Sequence, residues 1–436
     1  MRIIALDIGS SFTKSAVMDT QTGEILEKKR VETAPRIDRG DIRLFEMRAE
    51  DLYASVTALI DGHLAHFPDI EGIFFSTQMH GFVLTRGMQA ITPYVSWQDA
   101  RADIETGGVI PIDALEEKLG PENIRLMGTR YKTGIAACSL YAYRMQHPDF
   151  DPSGALFHTL GSYLIYRLNG GTRHACHLTS AAGTGFADAS RGIWNQEVRR
   201  ITGCEDLIFP DIVPETEPLG RYRGVSLYAD IGDHQATVYG TQNLDFDDVS
   251  ITIGTACIIC AVADGFVRAD FEVRPYFDGR YLMTITRQPG GRVMDVVVDM
   301  LRDCARTLTG KELSEAEAWR MLLERIKDDT RGLEIVPDFF IGGGQGKVTG
   351  ISSGNFTADH LFSAGFHSLA GSYAQAIGRL RKWNPRLKGV LLCGGKLSET
   401  EVLRARTEGA CGLPTFVSRQ EDESLYGLLR IARKIG

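Results

Sequence analysis

The sequence predicts an α/β protein built in two halves, each opening on a strand–turn–strand hairpin whose tip is suited to phosphate. Three observations carry this. Residues 1–18 read MRIIALDIGSSFTKSAVM: Ile3, Ala5 and Asp7 alternate with Ile4, Leu6 and Ile8, the period-two pattern of a buried strand. Gly9, Ser10 and Ser11 break that strand, and an extended apolar pattern resumes from Phe12 to Met18. Residues 249–262, VSITIGTACIICAV, repeat the design, with Ile253-Gly254-Thr255 standing where Ile8-Gly9-Ser10 stood. Finally, 436 residues are too many for one ordinary core and point to two domains of roughly 200 residues each.

The chemistry of the first tip follows from its residue types. Gly9 has no side chain to hold backbone N–H groups away from phosphate oxygens. Asp7, at the end of the first strand, is placed to face a phosphate-bound metal, and Lys14 can add positive charge. A single strand–turn–strand is ordinary sheet; two of the same design, one per half, are what favour a nucleotide.

Composition narrows the partners. With 43% hydrophobic and 24% charged residues the chain reads as a soluble globular protein. A net charge of −8 argues against nucleic acid, whose backbone calls for a basic face. An anionic nucleotide must then be held by local devices: backbone amides, helix N-termini, a lysine and a metal ion. Met1-Arg2 leads straight into a strand, so no signal peptide is expected, and the longest apolar run, near Cys257 to Val262, is too short for a bilayer. Eight scattered cysteines fit a reducing cytoplasm. Cys257-x-x-Cys260 lies in a strand that points the two thiols to opposite faces, and His174-x-x-His177 is isolated, so both pairs read as structural.

The elements follow in order. Residues 24–33 complete a meander after the turn at 19–23. Leu52, Val56, Leu59, Ile60 and Leu64 have helical spacing over 51–67. A strand over 70–75 runs into Ser76-Thr77-Gln78-Met79-His80-Gly81, and the chain then passes through Trp97-Gln98-Asp99-Ala100-Arg101. Polar residues leaving a strand end are what a polyol site needs, since each hydroxyl wants a donor and an acceptor. A helix is expected over 161–168, closed by Asn169-Gly170-Gly171, then a loop-rich stretch over 178–194 and a proline-punctuated one over 210–218. The domain boundary is placed near Tyr228, ahead of Gly232-Asp233-His234-Gln235-Ala236. The second half predicts a charged helix over 312–327, an apolar strand over 335–341 and helical spacing over 356–383. Gly342 to Lys347 lacks the residues of a P-loop, with Ile341 and Val348 at its ends, and reads as a flexible loop. A buried strand over 389–393 ends in Gly394-Gly395-Lys396, and Ser398 with Glu401 forms an S-x-x-E capping box for the next helix. Strand, glycine pair and helix start suit a nucleotide. The last helix, from about Glu421, carries Gly427 inside, where close packing or an approaching ligand would explain the missing side chain.

Taken together, these residues resemble the FGGY carbohydrate kinases, members of the actin-like ATPase fold. Asp7-Ile8-Gly9-Ser10-Ser11 with Lys14 is similar to the family's first phosphate motif, and Ile253-Gly254-Thr255 to its second. Gln78-Met79-His80-Gly81 resembles the sugar-contacting turn of xylulose kinases, and Trp97-Gln98-Asp99-Ala100-Arg101 the W-x-D-x-R segment. Gly232 to Ala236 looks like the segment carrying the catalytic aspartate, Gly394-Gly395-Lys396 like the adenosine motif, and Glu423-Ser424-Leu425-Tyr426-Gly427 like the closing E-S-x-x-G. Each motif is weak alone; their shared order along nearly the whole chain is specific. The chain departs from the pattern at Ala256-Cys257, where Ser-Gly is usual, at Gly342 to Lys347, where Gly-Glu-Arg-x-Pro is usual, and in its shorter length.

The resemblance implies two actin-like (ribonuclease H-like) domains, 1–228 and 229–436, each a mixed sheet flanked by helices, with the active site in the interdomain cleft and closure of the halves excluding water. It implies ATP and Mg²⁺ as cofactors and a ketose such as xylulose or sedoheptulose as acceptor, Met79-His80 favouring a ketose over glycerol. Asp233 would accept the proton of the attacking hydroxyl and Asp7 would help hold Mg²⁺. Ser10, Ser11, Lys14, Gly254 and Thr255, with Gly9, would surround the phosphates, and Gly394, Gly395 and Lys396 would border the adenosine. Gln78, Met79, His80, Trp97, Asp99, Arg101 and His234 would meet the sugar. A homodimer is compatible with this, and neither nucleic acid nor a membrane is a partner. A sugar or nucleotide sensor on the same fold and an actin-like ATPase acting without a sugar are the competing classes; the presence of both Asp7 and Asp233 disfavours the first, and the polar stretch from Gln78 to Arg101 the second.

Overall fold

In a computed structural model that describes residues 1–241, 247–338, 345–418 and 420–435, the chain divides into two compact units. One comprises Met1–Gln242, Asp264–Leu282 and Gln420–Gly436; the other Asn243–Ala263 and Met283–Arg419.

The first unit is built on a six-stranded mixed sheet. Its strands lie in the order Pro218–Tyr222, Val225–Gly232, Ile70–Thr77, Arg2–Ile8, Phe12–Asp19 and Ile25–Glu32. The central strand Arg2–Ile8 runs antiparallel to Phe12–Asp19, with Ile8 opposite Thr13, and parallel to Ile70–Thr77, with Asp7 opposite Ser76. Both faces of this strand are covered, so Ile3, Ile4, Ala5, Leu6 and Ile8 are all fully buried. Helix Ala49–Leu64 forms where its apolar spacing predicts, with Glu50 and Asp51 in the first turn, a sign that suits the helix dipole. Its Leu52, Val56, Leu59 and Ile60 pack on the sheet with Tyr163, Leu164 and Leu168 from helix Leu160–Leu168. Each such side chain contributes about 1.5–3 kcal/mol of burial.

The second unit repeats the plan. Strands Tyr281–Pro289, Ala256–Ala263, Asp248–Ile253, Gly389–Gly394 and Thr415–Val417 lie in that order, the unit holding the first of them from Met283 on. Asp248–Ile253 runs antiparallel to Ala256–Ala263 and parallel to Gly389–Gly394, the same directions found around Arg2–Ile8. Helix Ala358–Arg381 buries Leu361, Phe362, Phe366, Leu369 and Tyr373.

Several local expectations change. The boundary near Tyr228 falls inside strand Val225–Gly232, which pairs in parallel with Ile70–Thr77, so Asp233 belongs to the first unit. Residues 178–194 include a short helix, Leu178–Gly183, and a two-residue strand pair. The helix expected over 312–327 is confined to Glu315–Leu323, where Ser314 and Glu317 form a capping box. Ser398 caps no α-helix: it lies in a 3₁₀ turn, Lys396–Glu399, and its hydroxyl donates to the carbonyls of Gly394 and Gly395. Helix Glu401–Cys411 starts from Thr400 without a side-chain cap. The strand expected over 335–341 is observed as Glu334–Val336, and residues 339–344, with the first half of the Gly342 to Lys347 loop, lie outside the described residues. Gly427 owes its missing side chain to packing: a Cβ there would stand 2.0 Å from the Ala236 carbonyl oxygen of helix Asp233–Gly240.

Candidate active site

The first hairpin tip is fixed by hydrogen bonds to its backbone. The Gly9 N–H donates to Phe12 O at 3.1 Å, and the Gln78 N–H, arriving from the neighbouring parallel strand, donates to Ile8 O at 2.9 Å. Two side chains converge on Gly9 O: the Thr33 hydroxyl at 2.9 Å and the Gln78 amide at 3.3 Å. Asp7, where the strand enters the tip, is held on both carboxylate oxygens, by the Ser76 hydroxyl at 2.9 Å and the Ser424 hydroxyl at 2.7 Å. Burial raises its pKa, against the pull of those two hydroxyls and of Lys14. Lys14 Nζ lies 3.1 Å from Asp422, which also pairs with Lys28 and takes a left-handed backbone, φ 54°, just ahead of helix Glu423–Ala432.

Asp233 opens helix Asp233–Gly240 at the end of strand Val225–Gly232. One carboxylate oxygen accepts the His234 N–H at 2.8 Å. Burial pushes its pKa up to about 6, and the negative charge of Asp7 pushes the same way; the His234 N–H, Arg274 and Lys132 oppose both. A carboxylate tuned upward remains ionised at neutral pH and is a better proton acceptor than an ordinary one.

Around Asp233 the first unit assembles a polar cluster. His80 leaves its strand with a left-handed backbone, φ 76°, uncommon for a residue with a side chain. Its Nδ1 donates to Gly183 O at 2.6 Å. Burial, with Lys132 and Arg274 nearby, holds the imidazole neutral, which leaves Nε2 as an acceptor. Arg274 donates to Glu272 at 2.6 Å and to His234 Nδ1 at 3.2 Å. Burial and that arginine push the His234 pKa down to about 3. Lys132 Nζ stands 5.7 Å from the centre of the Trp97 ring, which is 38% exposed, the only large apolar surface among the expected sugar contacts.

Four expected sugar contacts have other work. Asp99 and Arg101 are fully buried: the arginine donates to both Asp99 oxygens, at 2.7 and 2.9 Å, and to Glu46 at 2.6 Å, while Asp99 also accepts the Phe45 N–H. Their charges are spent on each other, so they shape the loop that presents Trp97. Met79, also buried, fills the space over Gly183 and Gly232, where a Cβ would meet its atoms at 2.8 and 2.7 Å. Gln78 is buried with its amide shared between Gly9 O and the Ser96 hydroxyl, and so ties the phosphate-type tip to the Trp97 loop.

The second unit brings its own two motifs together. The Gly254 N–H donates to Ala256 O at 3.2 Å, and the Gly395 N–H donates to Ile253 O at 3.0 Å, the counterpart of Gln78 on Ile8. Gly394 has φ 100°, and a Cβ there would stand 2.5 Å from Ile253 O. Gly254 and Thr255 are exposed. Lys396 begins the 3₁₀ turn that follows.

The cluster includes residues the sequence reading did not single out. Glu272 and Arg274 sit two apart on the short strand Glu272–Pro275, a spacing that puts opposite charges on one face. Lys132 lies in an unpatterned loop with no comparable signal. Ser76 and Ser424 carry no signal of their own beyond the longer segments they belong to.

Comparison with known proteins decides the family. Residues 2–237, over half the chain, match the FGGY family of carbohydrate kinases, N-terminal domain. The chain belongs to that family. Sedoheptulokinase of Homo sapiens is 24% identical over 404 residues, covering 84% of this chain and 81% of that protein. In fold, xylulose kinase from Rhodospirillum rubrum superposes with a TM-score of 0.87 at 16% identity, over 99% of this chain and 89% of that one. Plasmodium falciparum glycerol kinase with ADP gives 0.83 at 15% identity, over 99% and 88%. This FGGY chain is thus a carbohydrate kinase by family, with the actin-like fold of those neighbours. Among its described residues no helix is long and apolar enough to cross a membrane.

Mg²⁺ is implied by the family, and the residues fit it. No group of three or more His, Cys, Asp or Glu among the described residues could cage a metal unaided. Mg²⁺ asks for less: one or two carboxylates, with water and phosphate oxygens completing the shell. Asp7, fixed by two hydroxyls beside the Gly9 tip, is such a carboxylate.

Proposed function

We propose that this kinase transfers the γ-phosphoryl group of ATP to a hydroxyl of a ketose such as xylulose or sedoheptulose, with Asp233 as general base. The observation that carries the reading is the environment of Asp233: at a helix start, tuned to about 6, and set among Asp7, Lys132 and Arg274. Asp233 takes the proton of the attacking hydroxyl; the oxygen bonds to the γ-phosphorus as its bond to the bridging oxygen breaks, and ADP leaves with that electron pair. Such a base contributes about 10²–10⁴-fold. Phosphoryl transfer otherwise depends on in-line positioning and charge neutralisation.

The remaining residues have matching tasks. The Trp97 face covers an apolar edge of the sugar, and His80 Nε2 and Asp233 accept its hydroxyl hydrogens. Gly9, Ser10, Ser11 and Lys14 meet phosphate oxygens, as do Gly254 and Thr255 of the second unit, with Gly394, Gly395 and Lys396 toward the adenosine. Mg²⁺, held by Asp7, would neutralise charge on the phosphates when bound.

The test is ADP release with ATP and Mg²⁺ across D-xylulose, D-sedoheptulose, D-ribulose, L-ribulose, L-xylulose, glycerol and no sugar. Ketose-dependent release that falls at least about a hundredfold in Asp233→Asn supports the reading. Release without sugar would favour an actin-like ATPase. Flat traces from a folded protein that binds ATP would favour a sensor.

A further inference from the structure

Within the cluster around Asp233, one cation stands apart. Arg274 is paired with Glu272, Arg101 with Asp99 and Glu46, and Lys14 with Asp422. Lys132 has no carboxylate or other hydrogen-bond acceptor among the described residues, although it is only partly exposed. Its loop is pressed against Trp97: a Cβ on Gly134 would stand 1.8 Å from Trp97 O, which holds the backbone two residues from the lysine against the segment whose ring its Nζ faces. An ammonium left unpaired at partial burial is costly unless a ligand completes it.

The other polar groups indicate what kind of ligand atom completes it. Ionised Asp233 only accepts, and neutral His80, with Nδ1 donating to Gly183 O, offers Nε2 as an acceptor. These two can take the hydrogens of sugar hydroxyls. Lys132 only donates, and Arg274 beside it only donates too. An oxygen bearing no hydrogen matches it; a hydroxyl there would bring a further hydrogen that competes with the other sugar hydroxyls for Asp233 and His80.

We propose that Lys132 is a specificity-determining residue of this kinase, donating to a hydrogen-free oxygen of the acceptor: the keto oxygen of a ketose or a carboxylate oxygen of a sugar acid. This rests on the kinase reading of the same site and adds the atom that the site selects. A charged donor on a carbonyl or carboxylate accounts for selection of about 10- to 100-fold over the alditol in which that oxygen is reduced.

The charged groups acting on Lys132 are Arg274 and Glu272 from the strand Glu272–Pro275, Arg130 from its own loop and Asp233 from its helix. Burial, with Arg274, sets its pKa at about 8. An acceptor oxygen stabilises the ammonium, so ligand binding at pH 8 should take up as much as about half a proton per site.

Calorimetry without nucleotide tests this on wild type, Lys132→Met and Lys132→Arg, using D-xylulose, its alditols xylitol and D-arabinitol, and D-gluconate. Runs at pH 8 in two buffers of different ionisation enthalpy report proton uptake, and thermal unfolding checks each fold. The expected result is D-xylulose or D-gluconate bound at least about tenfold more tightly than either alditol, with proton uptake. Lys132→Met should lose both the preference and the uptake, and Lys132→Arg should recover the preference in part. Preference for D-xylulose identifies the keto oxygen, and preference for D-gluconate the carboxylate. Equal binding of ketose, acid and alditols, no binding of any of them, or an unchanged preference in a folded Lys132→Met overturns the proposal. Because binding is read without ATP, a protein that selects D-xylulose through Lys132 but releases no ADP would remove the kinase reading alone.

Discussion

The two hairpin tips share a backbone and differ in chemistry. In both, the tip glycine donates to the returning strand, at Phe12 O or Ala256 O, and the next parallel strand delivers an N–H to the carbonyl before the glycine, from Gln78 or Gly395. The first tip has three residues between its strands and the second two. Around the first stand a carboxylate, three hydroxyls and an amide: Asp7, Ser76, Ser424, Thr33 and Gln78. Around the second stand glycines, and the Gly254 and Thr255 carbonyls accept the Gly291 and Arg292 N–H groups at the start of helix Gly291–Thr309. The duplicated element therefore supplies the same backbone hydrogen bonds twice, with a hydroxyl-held carboxylate at the first tip. Reaction chemistry should be sensitive to side chains at the first tip, and to backbone shape at the second.

The largest expected effect breaks this asymmetry at Asp7. Asp7→Asn keeps an acceptor and a donor for the Ser76 and Ser424 hydroxyls, so the protein should fold, while kcat falls about 10²–10³-fold, measured by ADP release. Thr255→Ala, where the side chain is not what the tip is built from, should cost less than about tenfold in the same assay.

A smaller effect probes backbone shape. Gly394→Ala puts a Cβ into a left-handed backbone and against Ile253 O, 2.5 Å away. It should destabilise the second unit by about 1–3 kcal/mol in denaturant unfolding and raise the KM for ATP. A normal KM would mean that the Gly394–Gly395 turn is not a nucleotide contact.

The smallest effect concerns stability. The Asp233 pKa of about 6 in the folded state exceeds the ordinary aspartate value of about 4, so its ionisation opposes folding. That cost is absent below about pH 4 and complete above about pH 6. Asp233→Asn should therefore melt about 2 °C above wild type at pH 8, the difference vanishing at pH 4, by calorimetry.

Much of the fold was legible because it rests on local patterns. Alternation in residues 3–8 and helical spacing at Leu52, Val56, Leu59 and Ile60 read directly as elements, and the duplication exposed the two-unit plan. The boundary near Tyr228 was misplaced because strand pairing between Val225–Gly232 and Ile70–Thr77 is a long-range fact that no local composition reveals. The S-x-x-E signal at Ser398 failed because the glycine turn before it offered closer carbonyls for the hydroxyl. For the proposed site, motif order points to Asp7, His80, Trp97 and Asp233, and it points equally to Asp99 and Arg101, which the structure buries and pairs with each other. Glu272, Arg274 and Lys132 enter through tertiary proximity. The reverse also occurs: Ser15, His63 and Glu27 form a hydrogen-bonded series like a hydrolase triad, but Ser15 and His63 are fully buried and no substrate can reach them.

The central claim is that a single tuned carboxylate, Asp233, sensing Asp7, acts as the base. The pH dependence of kcat/KM for the ketose, in wild type and in Asp7→Asn, tests it most directly. The expected wild-type profile falls on the acid side with a midpoint near pH 6, where Asp233 becomes protonated. Removing the Asp7 charge eases ionisation of Asp233, so the acid limb of Asp7→Asn should move to lower pH. An acid limb at the same pH in both proteins, or one that persists in the residual activity of Asp233→Asn, would contradict the account.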